Sequence, residues 1–217
     1  MKFNLDKVQN GLLDFRRIRL IDEVNGIYYI LRENYSKEAY YFKMDGLELI
    51  TYGKEVEDIV KSKNFGDYFE EKCDYEFALD KDDFRPVIND NYNYRLLDKS
   101  DSLMVSNFKD KCTKGDLDQG QVSIDDPLVM GTFKDDNLIG IASFWEWRND
   151  LNDIGVLIDS NYRGLNVGPS LVSRLIKEVV NDKICIYRAD YENIGSIRVA
   201  EKLGFRVISK IHRLRAR

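Results

Sequence analysis

The 217-residue chain contains a single histidine, His212. A Ser-His-Asp or Cys-His nucleophile would have to use it, and its basic surroundings, Lys210 and Arg213, do not suit that task. Cysteine is scarce as well: Cys73, Cys112 and Cys185 are odd in number, far apart and in no Cys-x-x-Cys pair. A disulfide framework is thereby excluded and a zinc signature is missing, so reduced, buried thiols and no metal are expected. No apolar run approaches the roughly 20 residues that span a bilayer. The opening Met1-Lys-Phe-Asn-Leu-Asp6 has no apolar signal core, so a cytoplasmic protein without a membrane partner is expected. Gly-x-x-x-x-Gly-Lys-Ser/Thr and Gly-x-Gly-x-x-Gly are both absent, which leaves nucleotide binding unsupported. Repeats, low-complexity tracts and heptads are lacking too, which sets aside solenoid and fibrous classes. With a net charge of -5 the chain has no positive surplus for nucleic acid, and the basic residues Lys210, His212, Arg213, Arg215 and Arg217 read as a solvated tail.

What is present suffices for a core, 43% hydrophobic and 12% aromatic. Ile27–Leu31, Ala39–Lys43 and Leu47–Tyr52 read as strands of a meander, separated by the turn residues Asn34-Tyr-Ser-Lys and Asp45-Gly46. Val56, Ile59 and Val60 fit a helix over 54–61, and the acidic, aromatic stretch 67–83 completes a small α+β region. Arg85-Pro86 and Asn89-Asp-Asn-Tyr-Asn93 mark a boundary near residue 90. Beyond it, Tyr94–Leu97 predicts a strand. Ser100–Lys111 predicts a helix capped by Asp98 or Ser100, with Leu103 and Phe108 inward. Val129–Phe133 and Leu138–Trp145 flank Lys134-Asp-Asp-Asn137 as a hairpin.

The most informative segment follows. Ile154–Ile158 is short, branched and apolar, as in a buried strand. It delivers the chain to Tyr162–Gly168, where Gly164, Asn166 and Gly168 accept positive φ or close backbone approach, so that successive N–H groups converge on one point. Pro169 suits the first turn of a helix carrying Leu171, Val172, Leu175, Ile176 and Val179 at helical spacing. A strand, an anion-binding turn and a helix N-terminus make a cradle for a pyrophosphate. Ile184–Arg188 is the next strand, Asn193 caps a short helix that Gly204 ends, and a strand closes the order.

Arg163-Gly-Leu-Asn166-Val-Gly168 together with Asn193-Ile-Gly-Ser196 and Lys202-Leu-Gly-Phe205 resembles the GNAT superfamily of acetyl-CoA-dependent N-acetyltransferases, over about residues 92–210. The family pattern has Gln or Arg, two residues, Gly, one residue, and Gly or Ala; here Asn166 stands at the central glycine, tolerable because asparagine enters the left-handed region more readily than other side-chained residues. The resemblance implies an α+β, three-layer (α/β) fold around a mixed, mostly antiparallel sheet, with residues 91–217 as the acetyltransferase domain and 1–90 as a small N-terminal α+β region of unassigned role. It implies that the strands Asp153–Ile158 and Ile184–Arg188 splay, that pantetheine pairs with backbone at Leu157 and Ile158, and that Arg163, Gly164, Leu165, Asn166, Val167, Gly168 and Ser170 hold the pyrophosphate. The resemblance likewise implies that Asn193 and Ser196 belong to that cofactor site and that its ligand is acetyl-CoA.

Acetyl transfer needs a neutral amine, so a proton acceptor is required. The resemblance places Asp153 at the position of the family's glutamate base, acting through a water because aspartate is shorter; a strand-start carboxylate bonded to nearby backbone is the plainer reading. Glu146, between Trp145 and Trp147, is the second candidate, with the indoles as a desolvating wall. The family's tyrosine acid is missing at Val199-Ala200-Glu201, which leaves Tyr191, with Tyr187 nearby, as the phenol for the departing thiolate. Cys185 is better read as core packing. Phe144, Trp145 and Trp147 are candidates for an aromatic pocket holding a cation, and the acidic stretch 67–83 for steering one. The expected activity is therefore transfer of acetyl from acetyl-CoA to a primary amine of a small-molecule or peptide acceptor. The alternative is a silent acyl-CoA-binding sensor or assembly module. Residues 1–90 are left to cover the acceptor site, form a homodimer or extend the sheet.

Overall fold

The computed structural model describes residues 5–20, 23–147, 151–179 and 184–215. The first four residues and Arg217, both used in the sequence reading, lie outside them. The chain begins with α1 (Leu5–Phe15), whose Val8, Leu12 and Leu13 are buried on one side. The strands β1 (Glu23–Val24), β2 (Ile27–Leu31), β3 (Ala39–Met44) and β4 (Leu47–Tyr52) follow, then α2 (Glu57–Val60) and the long β5 (Phe69–Leu79). Next come β6 (Asn93–Leu97), α3 (Ser102–Lys109), α4 (Lys114–Gly120), β7 (Leu128–Lys134), β8 (Asn137–Glu146) and β9 (Leu151–Ile158). The last elements are α5 (Val167–Lys177), β10 (Ile184–Ala189), α6 (Ile194–Leu203) and β11 (Arg206–Leu214).

Among the described residues eleven strands join one sheet in the order β1-β2-β4-β3-β11-β5-β10-β9-β8-β7-β6. Only β2–β4 and β9–β10 run parallel, so the sheet is mixed and mostly antiparallel. The β7–β8 hairpin closes where expected: Asp135 and Asp136 both have positive φ, which lets a two-residue loop follow the twist of its strands.

The pleat sorts side chains onto two faces. One face carries Phe77, Phe144, Ile154, Cys185 and Tyr187 beneath α5 and α6. The other carries two separate apolar patches. Leu151, Ile186 and Ala78 lie with Val8 and Leu12 of α1, and Ile141 and Leu157 lie with Val105 and Phe108 of α3. Between those patches the same face is polar, and there the smaller cavity described below is found.

Several expectations need correction. The first strands are not a meander, because β4 lies between β2 and β3 and β3 turns its free edge to β11. The stretch 67–83 is mainly the central strand β5, whose acidic residues alternate with buried Cys73, Phe77 and Leu79. Helix 54–61 is a 3-10 turn followed by the four residues of α2. Leu103 is 75% exposed, since Val105 and Phe108, three apart, define the buried stripe of α3. The supposed basic tail is β11: Arg213 pairs with Asp74 and Asp190, and His212 Nδ1 lies 2.9 Å from the Glu70 carbonyl. No helix among the described residues is long and apolar enough to cross a membrane.

Candidate acyl-transfer site

The site is made by two strands that part. β9 and β10 pair through Leu151, Asn152 and Asp153, with Ile186 the last partner on β10. Beyond that point β10 pairs only with β5, through Tyr187, Arg188 and Ala189, and β9 only with β8, through Ile154–Ile158. The edge of β9 facing β10 is thereby left open, and a groove of about 750 Å³ lies along Val156, Leu157 and Ile158.

The groove ends on the first turn of α5. Gly164 has φ +76 and Asn166 φ +61, so the backbone turns through two left-handed residues before Val167 starts the helix. Among the described residues no acceptor within the chain takes the N–H groups of Gly164, Leu165, Asn166, Val167 or Gly168, whereas Ser170 N–H donates to the Asn166 carbonyl at 3.2 Å. Unpaired donors at a helix start, with no anion supplied by the chain, suit a pyrophosphate. Arg163, Arg198 and Lys202 add positive charge at the rim. Lys202 Nζ donates to Asn166 Oδ1 at 2.7 Å, and Arg163 donates to the Ile158 carbonyl at 3.2 Å while pairing with Asp116 at 2.8 Å. An open strand edge, free N–H groups and a cationic rim fit an acyl-CoA thioester. Asn166 also adopts the left-handed geometry that the sequence reading required of it.

Not every residue expected at the groove lines it. Leu157, Ile158, Arg163, Gly164, Asn166, Val167, Gly168, Asn193 and Ser196 do. Leu165 is 51% exposed, and its carbonyl accepts from Asn89 Nδ2 at 3.0 Å. Ser170 is fully buried, its hydroxyl oxygen accepting from Asn89 N–H and Tyr94 O–H. That serine braces the turn from behind.

A second cavity, about 210 Å³, opens on the polar strip of the opposite face and is lined by Arg16, Glu76, Trp145, Asp153 and Arg188 among others. It shares Gln119, Gly120 and Asn193 with the groove, so the two meet at the end of α4 and the start of α6. Asp153 is 4% exposed. Arg188 Nε and Nη2 reach the same carboxylate oxygen, Oδ2, at 2.8 and 2.7 Å, leaving Oδ1 without a protein donor among the described residues. Burial pushes the Asp153 carboxyl up to about 6, against the opposing pull of Arg188. Arg188 itself is held by Gln121 Oε1 at 3.1 Å and lies 5.5 Å from the Trp147 ring centre.

The other candidates are dispersed. Register puts Trp145 opposite Asp153 and Glu146 opposite Asn152, so the pleat turns exposed Glu146 to the face away from Asp153. Tyr191 lines neither cavity; its hydroxyl donates to Glu192 at 3.0 Å, which raises the phenol, and Lys72 lies over its ring. Tyr187 is buried under α6, and burial raises it to about 12. Cys185 is core, likewise raised to about 12 by burial. Phe144 and Trp147 are buried on opposite faces, leaving Trp145 alone at the cavity. Sequence reasoning missed Arg16, Glu76, Arg188, Gln119 and Lys202. The one available signal was the pair Thr113 and Asp116, a capping box that starts α4.

No curated protein sequence matches the chain. An acetyltransferase of the GNAT family from Colwellia psychrerythraea superposes with a TM-score of 0.53 at 10% identity, over 67% of this chain and 56% of that one. A GCN5-related N-acetyltransferase from Sphaerobacter thermophilus gives 0.50 at 16%, over 68% and 53%. A Salmonella typhimurium protein solved with its cofactor acetyl-CoA gives 0.45 at 19%, over 58% and 94%. The chain spans less than two thirds of the length of the first two. The sequence profile of the acetyltransferase (GNAT) family, which uses acetyl-CoA, matches residues 81–205, more than half of the chain. The chain therefore belongs to the GNAT acetyltransferase family.

Proposed function

We propose that the protein moves the acetyl group of acetyl-CoA directly to a primary amine, with Asp153 as the proton acceptor. When bound, acetyl-CoA supplies an activated acyl carbon. The chain does the rest. The N–H groups of 164–168, with Lys202 and Arg198, hold the diphosphate end, while the open edge of β9 at Leu157 and Ile158 receives the amide arm. Asn193 and Ser196 border that arm at the start of α6.

The observation that carries this reading is the position of Asp153, deep in the small cavity that joins the groove, with one oxygen fixed by Arg188 and the other without a donor among the described residues. A carboxyl near 6 is ionised at neutral pH yet more basic than an ordinary aspartate, and so better matched to taking a proton. Trp145 lines the mouth of that cavity.

The test is thiol release from acetyl-CoA across a panel of primary amines. Asp153→Asn should lower kcat/KM by about 10²- to 10⁴-fold, with coenzyme A affinity within about twofold of wild type by calorimetry. The grip of Arg188 on Asp153 and the missing phenol at 199–201 favour a second reading, a silent acyl-CoA-binding module. Coenzyme A binding without thiol release from any amine would establish that reading and sink the first.

A further inference from the structure

Glu76 is fully buried on β5. Its Oε1 accepts from Arg16, just past α1, and its Oε2 has no partner. Its neighbours on the same face include apolar Ala78 of β5 and Ile186 of β10 beside polar Asp74 of β5 and Ser209 of β11. A half-satisfied carboxylate in such a place destabilises the fold relative to a hydrophobic residue of its size, so packing alone does not account for it. Register adds the second observation. Glu76 stands opposite Arg188, and Arg188 holds Asp153. Arg16, Glu76, Arg188 and Asp153 thus form a line of alternating charge across one face, drawn from the end of α1 and from β5, β10 and β9, and all four border the smaller cavity.

We propose that Glu76 and Arg16 are positioning residues for the proton acceptor: Glu76 competes with Asp153 for Arg188, and Arg16 tempers that competition. The inference rests on the reading of Asp153 as the base, and gives the first 90 residues a part in the chemistry. The remaining charges at the cavity are Asp74, Asp118, Asp190 and Arg213. Arg213 bridges Asp74 and Asp190 at 2.6 and 3.1 Å, which offsets one of their two negative charges. Asp118 is exposed at the mouth, screened by water. Glu76 raises and Arg16 lowers the proton affinity of Asp153, opposite effects from two groups that touch each other.

The experiment follows the Asp153 carboxyl by ¹³C NMR through a pH titration of the full chain without ligand, its signal assigned by loss in Asp153→Asn. Relative to wild type, Glu76→Gln should lower the midpoint by about one pH unit and Arg16→Met should raise it by about one. Arg16→Lys, which keeps the charge, should return it to within about 0.3. In the transfer assay the acid limb of kcat/KM should move the same way. Glu76→Gln keeps the size and one hydrogen bond of the side chain, and carries the test if Arg16→Met does not fold. A folded Glu76→Gln protein whose Asp153 midpoint stays within about 0.2 of wild type overturns the inference, whatever its activity. Shifted midpoints in a protein that acetylates no amine would support the charge coupling and count against the transferase reading alone.

Discussion

The side-chain amide of Asn193 donates to Gln119 Oε1 at 2.6 Å, tying the start of α6 to the last turn of α4 where the two cavities meet. Asn193 has a second duty, since its Oδ1 accepts from Ser196 N–H at 3.0 Å and caps α6.

The two roles separate by mutation. Gln119→Ala removes the bridge alone, whereas Asn193→Ala removes bridge and cap. The cap is worth about 1 kcal/mol, so Asn193→Ala should melt roughly 2–4 °C below Gln119→Ala in a chain of this size. Equal melting temperatures in scanning calorimetry would show that the cap contributes nothing.

Asn166 carries a prediction about binding. Its φ of +61 is easy for glycine and costly for a branched residue. Asn166→Gly should hold coenzyme A within about threefold of wild type, and Asn166→Val should weaken it by about tenfold or more, through strain at the left-handed position. An unchanged Kd for Asn166→Val in calorimetry would remove this turn from the binding site.

That turn was legible in the sequence because glycine, asparagine and proline state their backbone geometry directly. The hairpin at Asp135 and Asp136 and the strands at Ile27 and Leu47 were legible for similar reasons. The turn beside the groove depends on backbone and could be read. The smaller cavity depends on which side chains the pleat brings together from distant strands. Glu76, Arg188 and Asp153 are separated by long stretches of chain, and only register joins them. A strand after the helix that Gly204 ends was expected, but the charged outward positions of β11, Arg206, Lys210 and Arg213, made its end read as a solvated tail. α1 escaped notice although Val8 and Leu12 are one turn apart, because one turn of apolar spacing near a chain start is a weak signal.

Gly155 tests the packing of α4 against β9. A Cβ there would lie 2.4 Å from the Gly120 carbonyl oxygen, a backbone atom that cannot move without the helix. Gly155→Ala should cost about 2 kcal/mol or more in urea unfolding. It should also weaken both coenzyme A and acceptor, since α4 borders both cavities. A variant as stable as wild type would show that α4 is loosely seated.

Asp153 links stability to pH. Its folded carboxyl sits near 6, above the ordinary 3.8, so the folded chain binds this proton more tightly than the unfolded chain. The resulting stabilisation is full below about pH 4 and is lost as pH rises through 6. Asp153→Asn should therefore gain on wild type by about 1–3 kcal/mol between pH 4 and pH 7 in chemical unfolding. A difference that does not change with pH would contradict the shift.

The parting of β9 from β10 has a thermodynamic side. Strand pairs usually must be torn open before a guest can lie between them, and the rupture is charged against affinity. Here β10 is secured along its far flank by β5 and β9 along its far flank by β8, so folding has already met the entropic cost of holding the wedge open. A guest strand entering the wedge would break no ladder of the host, because the flanks of β10 and β9 are already paired elsewhere.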